Sequence, residues 1–169
     1  FMITNSTLIR NLRKSLRLSR KQEFILIGTL LGDGSLLPNS WGKNYRLSVR
    51  QGALQKEYLF WKYNIFKNWT LSPPKYYAKT NSWNFRTISH STFTDFAHKF
   101  YRNRKKKLPN NIEQYLEKPL VVAIWWMDDG NIRKNKEKVY GGMLNTQSFT
   151  WKDNLRLKSS LERIYKIKV

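Results

Sequence analysis

Leu26-Ile27-Gly28-Thr29-Leu30-Leu31-Gly32-Asp33-Gly34 is an apolar run that stops at a carboxylate and a glycine, and Val122-Ala123-Ile124-Trp125-Trp126-Met127-Asp128-Asp129-Gly130 ends the same way. Each run is too short to cross a bilayer and reads as a buried helix, with Gly34 or Gly130 expected to supply a left-handed C-terminal cap. Asp33 and Asp129 then sit at the negative end of a helix dipole, which disfavours an anion by about 0.3–1 kcal/mol. If the two helices pack side by side, both carboxylates meet. Two carboxylates that close stay ionised most easily around a divalent cation.

The surrounding composition points to a polyanionic partner. The 169 residues hold 32 Lys and Arg against 11 Asp and Glu, a formal net charge of +21, and the isoelectric point is about 10.3. Such an excess repels itself in a compact fold, so nucleic acid is the natural counterpart and an acidic membrane surface the weaker one. The basic residues run along the whole chain among an aromatic content of 15%, which suits a broad binding face and one substantial core. There is no cysteine, which excludes disulfides and thiolate zinc sites. His90 and His98 lack metal-ligand spacing and read as a surface residue and a helix-face residue. No signal peptide or membrane-spanning segment is expected.

Taken in order, residues 1–18 form a basic approach segment, in which Arg10, Arg13, Lys14 and Arg17 alternate with Ile9, Leu12, Leu16 and Leu18. This is either a solvated helix face or a phosphate contact. Ser19 with Gln22 is a capping box that starts a helix over 20–32. From 44 to 51 the pattern alternates, with Tyr45, Leu47 and Val49 inward and Arg46, Ser48 and Arg50 outward, a half-buried strand with a basic face. A helix over 53–69 is expected to bury Leu54, Tyr58, Trp61, Ile65 and Trp69. Pro73-Pro74 breaks the chain, and 75–79 and 83–89 make a hairpin around Thr80-Asn81-Ser82, with Lys75, Lys79, Asn84 and Arg86 as candidate DNA contacts. Thr92 with Asp95 opens a helix that turns Phe93, Phe96, Ala97 and Phe100 inward. The basic run 102–107 follows, and Pro119 begins the helix of the second motif. Residues 138–148 read as the edge of a strand pair, and Thr150 with Asp153 caps a last helix bearing Leu157, Leu161 and Ile164.

The motif is part of a longer repeat. Asp33 and Gln51 are 18 positions apart, the same separation as Asp129 and Gln147, and in each copy the glutamine is expected to end a strand ahead of a helix. In this register Val169 corresponds to Pro73. The first repeat is therefore read as 19–115 and the second as 116–169, incomplete relative to the first.

On these two nonapeptides, and on Leu71-Ser72-Pro73-Pro74, Leu108-Pro109-Asn110-Asn111 and Leu144-Asn145-Thr146-Gln147-Ser148-Phe149-Thr150, the chain resembles the LAGLIDADG homing endonucleases of the two-motif, single-chain type over about 20–165. The resemblance implies an α+β fold of tandem αββαββα repeats, a pseudo-twofold interface between the motif helices, and saddle-shaped sheets lying in the DNA major groove. It implies cleavage of both strands of a long asymmetric site with Mg²⁺, with Mn²⁺ serving in its place and Ca²⁺ supporting binding alone. The metal residues it implies are Asp33 and Asp129, with Gly32 and Asp128 beside them. Lys106 falls where the family places an active-centre lysine, although a solvated basic run explains it equally well. Gln51 and Gln147 are candidates to order water, with structural or base-contact roles equally open. Lys105, Lys107 and Asn145 complete the expected DNA contacts. An RNA maturase that helps its own intron splice, or a DNA-binding module without catalysis, are the other functions the resemblance allows. It also implies a monomer and, together with richness in Lys, Asn, Ile, Phe and Tyr, an organellar origin.

Overall fold

The computed structural model describes residues 7–40 and 42–169, so residues 1–6 of the basic approach segment lie outside the description. The described part of that segment is helix α1 (Thr7–Ser15). It is docked by the buried Ile9 and by hydrogen bonds to the later chain: Arg13 Nη2 donates to Ser89 Oγ at 3.1 Å, and the Arg13 carbonyl lies 2.9 Å from His90 Nε2.

Helix α2 (Arg20–Leu31) starts at the Ser19 capping box, in which Ser19 and Gln22 each bond the other's backbone N–H. The chain continues through β1 (Ser35–Pro38), β2 (Tyr45–Gly52), α3 (Lys56–Ile65), β3 (Lys75–Tyr77), β4 (Ser82–Arg86) and α4 (Ser91–Phe100). This is one complete αββαββα unit. Its four strands form one antiparallel sheet in the order β1-β2-β4-β3. A short hairpin, β5 (Tyr101–Arg102) and β6 (Lys105–Lys106), and helix α5 (Ile112–Leu116) lead to α6 (Pro119–Asp129). After it come β7 (Gly130–Asn135), β8 (Lys138–Leu144) and α7 (Trp151–Tyr165). Among the described residues the second unit thus shows the order αββα.

Residues of both units share one hydrophobic core, from Ile25, Leu26 and Leu30 through Phe85, Phe93 and Phe100 to Val121, Ile124, Trp125, Leu157 and Leu161. The centre of that core is the packing of α2 on α6. A Cβ at Gly28 would stand 2.6 Å from the Val121 carbonyl oxygen and 2.7 Å from Ile124 Cβ, and one at Gly32 would stand 2.4 Å from Asp128 Cβ. Position 28 opposes 124 and position 32 opposes 128, so the helices run parallel and finish at the same end. Glycine permits backbones to approach that closely because it carries no side chain.

The glycines do not act as left-handed caps. Gly32 has φ −98°, Gly130 has φ −82° and ψ 142°, and Gly34 is absent from the positive-φ residues. Helix α6 passes directly into β7, and α2 reaches β1 through the short turn 32–34; at Gly34 and Gly130 a Cβ would strike Thr29 and Trp126 respectively, so close contact is what requires glycine.

Three further expectations change. The helix over 53–69 is interrupted: α3 is flanked by single turns of 3₁₀ helix at Ala53–Gln55 and Lys67–Trp69. Leu54 is fully exposed and Trp61 partly so, while the inward face is Leu59, Lys62, Phe66 and Trp69. An inward lysine explains why hydrophobicity alone misplaced the face. Helix α4 is capped by His90, whose Nδ1 accepts from the Thr92 N–H, so His90 is a buried cap where a surface residue was expected and Thr92 is not the cap. Finally, β8 ends at Leu144, and Gln147 lies exposed in the turn beyond it, whereas Gln51 is buried within β2.

Inserting a methyl group into the α2–α6 contact should be felt. Gly28→Ala is expected to destabilise the protein by about 1–3 kcal/mol, as overpacking does. Gly52→Ala, where a Cβ meets nothing within 4 Å, is the control and should be near neutral. Urea denaturation with equal midpoints for both variants would contradict this account of the helix contact.

Candidate active site and nucleic-acid interface

Because α2 and α6 are parallel, Asp33 and Asp129 emerge at one end of the interface, with Asp128 one residue earlier. Burial pushes the Asp129 carboxyl up from 3.8 to about 6, with Asp33 and then Asp128 adding repulsion against the pull of Lys106 and Lys62. The Asp33 carboxyl is also raised. Burial outweighs the stabilising pull of the Gln51 amide, Lys62 and Lys106.

Two lysines enter this acidic centre. Lys106, delivered by the β5–β6 hairpin with Asn103 and Arg104 at positive φ in its turn, donates from Nζ to the Gly32 carbonyl at 2.6 Å. It thereby caps the end of α2 and sits one residue from Asp33. Burial draws its ammonium below the ordinary lysine range, against the attraction of Asp129, Asp33 and Asp128. Lys62 comes from α3 and pairs with Asp128 Oδ1 at 2.6 Å, with no exposure of either side chain. Gln51 Nε2 donates to the same oxygen at 3.1 Å. Tyr58, one turn before Lys62, has its ring 4.4 Å from the lysine Nζ. Burial and then Asp128 push its hydroxyl well above the usual phenol range.

The sequence reading missed Lys62 and Tyr58. The available signal was the spacing Leu59, Lys62, Phe66, Trp69, in which a lysine occupies an inward position. Gly32 and Asp128, expected beside a metal, are otherwise engaged: the Gly32 carbonyl accepts from Lys106, and Asp128 is closed over by Lys62 and Gln51. Asp33 and Asp129 are the carboxylates left facing outward. Among the described residues no three His, Cys, Asp or Glu side chains converge to hold a metal by themselves. Asp33 and Asp129 offer hard oxygen donors, the kind a divalent cation takes together with substrate phosphates. The donor set therefore fits a cation shared with a bound phosphate.

The sheet supplies a basic face next to this centre. Ser48 pairs with Arg86, and Arg50 pairs with Asn84, which pairs in turn with Lys75, so these side chains and Arg46 share one side. Arg50, Lys75 and Arg86 are exposed and Arg46 and Ser48 half-buried. Burial and then Arg86 lower the Arg46 guanidinium. Asn84 differs from expectation: it is buried, and its Nδ2 donates to Ser48 Oγ and the Val49 carbonyl, so it braces the sheet. Lys79 is exposed in the 3₁₀ turn after β3, and Asn145 is half-buried just after β8. Lys105 and Lys107 flank Lys106 and, with Arg102, Lys152 and Arg156, line a cleft of about 670 Å³ between the hairpin and α7.

Both the fold and this arrangement have counterparts. The family model of the LAGLIDADG DNA endonuclease family matches residues 24–169, and the chain belongs to that family. It is similar to the cytochrome b mRNA maturase bI2 of Debaryomyces hansenii, with 32% identity over 155 residues covering 85% of this chain and 56% of that protein. It is also similar to the DNA endonuclease I-ChuI of Chlamydomonas applanata, with 29% identity over 167 residues covering 89% and 75%. A probable intron-encoded endonuclease of Wickerhamomyces canadensis is 30% identical over 158 residues, covering 86% and 66%. Among solved structures, the homing endonuclease I-WcaI bound to its DNA recognition sequence superposes with a TM-score of 0.86 at 26% identity, over 96% of this chain and 76% of that one. The chain thus spans between about half and three-quarters of these relatives' lengths. Its fold is that of the LAGLIDADG homing endonucleases.

The raised Asp129 carboxyl has a measurable consequence without metal. The folded protein holds this proton more tightly than the unfolded chain, so the contribution to stability is greatest below about pH 4 and declines as pH rises through about 6. In chelated buffer Asp129→Asn should therefore melt higher than the parent at pH 7 and alike at pH 4. A parent that melts higher at pH 7 would show that Asp129 is favourably ionised there.

Proposed function

We propose that the chain cleaves double-stranded DNA at a specific long site, hydrolysing phosphodiester bonds with Mg²⁺. The observation that carries this is the parallel packing of α2 and α6, which brings Asp33 and Asp129 out together beside a basic sheet. In this reading Asp33 and Asp129 would hold the cation, which when bound would supply activation of water and compensation of charge at the phosphate. Mn²⁺ replaces it, and Ca²⁺ supports binding without cutting.

Lys106 stabilises negative charge on the reacting phosphate, next to the end of α2. Gln51 orients the carboxylates and water at the same place; Gln147, exposed in its turn, has a contact role at most. Arg46, Ser48, Arg50, Lys75, Lys79 and Arg86 read one half of the DNA site, and Lys105 and Lys107 meet the backbone near the centre, with Asn145 on the other half. The molecule divides as a basic segment over 1–18 and repeats over 19–115 and 116–169, and acts as a monomer in an organelle. Arginines and lysines on an antiparallel sheet suit the base edges and phosphates of a major groove, which is wide enough to admit strands. The names of I-ChuI and I-WcaI, as endonucleases, support the same reading.

A second reading, assistance to the splicing of an intron RNA, is favoured by the likeness to the maturase bI2. Digestion of a randomised duplex library with Mg²⁺, followed by sequencing of the ends, decides between them. One shared cleavage site is expected, and tight binding of intron RNA with no cut duplex would overturn the proposal.

Two further outcomes are expected once that site is known. Asp33→Asn or Asp129→Asn should abolish double-strand cleavage and leave DNA binding within about tenfold, because each acid acts on the cation and repels the polyanion. A variant that still cuts both strands at the parental rate would remove that acid from the metal. Affinity should also fall by orders of magnitude between about 50 and 200 mM salt, as several phosphates are neutralised. A flat salt dependence in gel-shift assays would refute the groove-bound arrangement.

A further inference from the structure

The proposed cleavage reaction leaves one contact of the acidic centre without a task. Lys62 belongs to the first unit and Asp128 to the second, and they meet at 2.6 Å with neither side chain exposed. Gln51, from the first unit, donates to the same carboxylate oxygen at 3.1 Å. The other oxygen, Oδ2, is buried without a hydrogen-bond partner. Asp128 directly precedes Asp129, and its counterpart in the first motif is Gly32. The two helix ends are therefore unlike. Beside Asp33 stands a glycine whose carbonyl is held by Lys106; beside Asp129 stands a carboxylate gripped by Lys62.

Stability alone is a poor explanation for such a pair. Desolvating two ions offsets much of their attraction, and well-packed apolar residues of similar volume often serve a core as well or better. An ion pair differs from an apolar contact in being directional: it fixes one oxygen relative to one nitrogen. Here that fixed point is one residue from the second outward-facing carboxylate, and both groups on the far side of it, Lys62 on α3 and Gln51 on β2, come from the other unit.

We propose that Lys62 is a positioning residue for Asp129. By gripping Asp128 it ties the end of α6 to α3 and β2, so that the first unit sets where the second carboxylate stands. The two strands of a bound duplex are then cut by centres of unequal design, one braced through Lys106 and the other through Lys62. Lys62 touches no substrate; it acts through Asp128. The inference rests on the metal-dependent cleavage proposed above.

The test uses the full chain and a duplex of the selected site with a different fluorophore on each strand, cut over a range of Mg²⁺ concentrations. The variant Lys62→Met with Asp128→Ala removes both charges together and leaves no unpaired buried ion. Asp128→Asn keeps the shape and weakens the grip. In both, the ratio of the two strand-cleavage rates should change, by about tenfold or more in the double variant, with a higher Mg²⁺ midpoint for the slowed strand, the size typical of losing an outer partner of a metal ligand. Ca²⁺ titrated calorimetrically into the uncut protein–duplex complex should also bind more weakly, and unchanged Ca²⁺ binding would count against the proposal. Rates that are unchanged, or that fall by one common factor with one common Mg²⁺ midpoint, would overturn the proposal, since general loosening of the fold affects both strands alike. If the double variant fails to fold by circular dichroism, Asp128→Asn is judged by the same change in ratio. A parent chain that cuts neither strand with Mg²⁺ or Mn²⁺ removes the cleavage reading and this inference with it; a parent that cuts, with an unchanged ratio in the variants, removes this inference alone.

Discussion

Two helices that run parallel bring two negative dipole ends together, and here each end carries a carboxylate as well. This repulsion is the constraint to which the rest of the centre responds. Lys106 reaches back from a hairpin to the Gly32 carbonyl, and Lys62 reaches across from α3 to Asp128. Burying a lysine without a partner would cost several kcal/mol, and removing one member of a buried pair typically costs about 3–5 kcal/mol. The carboxylates and the lysines therefore require each other, and the two units of the chain are tied together at the place where chemistry is proposed.

The same logic explains the glycines. Carboxylates meet only if the helices that carry them nearly touch, and α2 achieves this with Gly28 and Gly32 set against Ile124 and Asp128. The complement is one-sided: small residues lie on α2 and larger ones on α6. An interface between two identical helices could not arrange this, so the asymmetry of the pair is built into its packing as well as its charge.

Charge on the outside mirrors charge within. The formal charge of +21 is concentrated in part on the face that carries Arg46, Arg50, Lys75 and Arg86, and around the β5–β6 hairpin. Without a polyanion these groups repel one another, and at Arg46 the nearby Arg86 adds to burial in lowering the guanidinium. A phosphate backbone along that face would relieve repulsion among the cations outside, while a cation shared with its phosphates would relieve repulsion among the carboxylates inside. The proposed binding and cleavage would thus draw on a single electrostatic arrangement.

Local chemistry was legible in the sequence. The Ser19 and Thr150 caps, Pro119 at a helix start and the alternation along β2 depend on residues within a turn or two of each other, and the described structure keeps all of them. Tertiary structure alone decided which way α3 faces, because the inward position of Lys62 depends on a carboxylate 66 residues away. It also gave Asn84 to the sheet, made His90 a buried cap, left Gln147 outside its strand, and set Gly34 and Gly130 to close approach where a left-handed turn was expected. Periodicity registers the average polarity of a face. It carries no information on which distant group will neutralise a buried charge, or on how near a second backbone will come, and those two quantities shape this site.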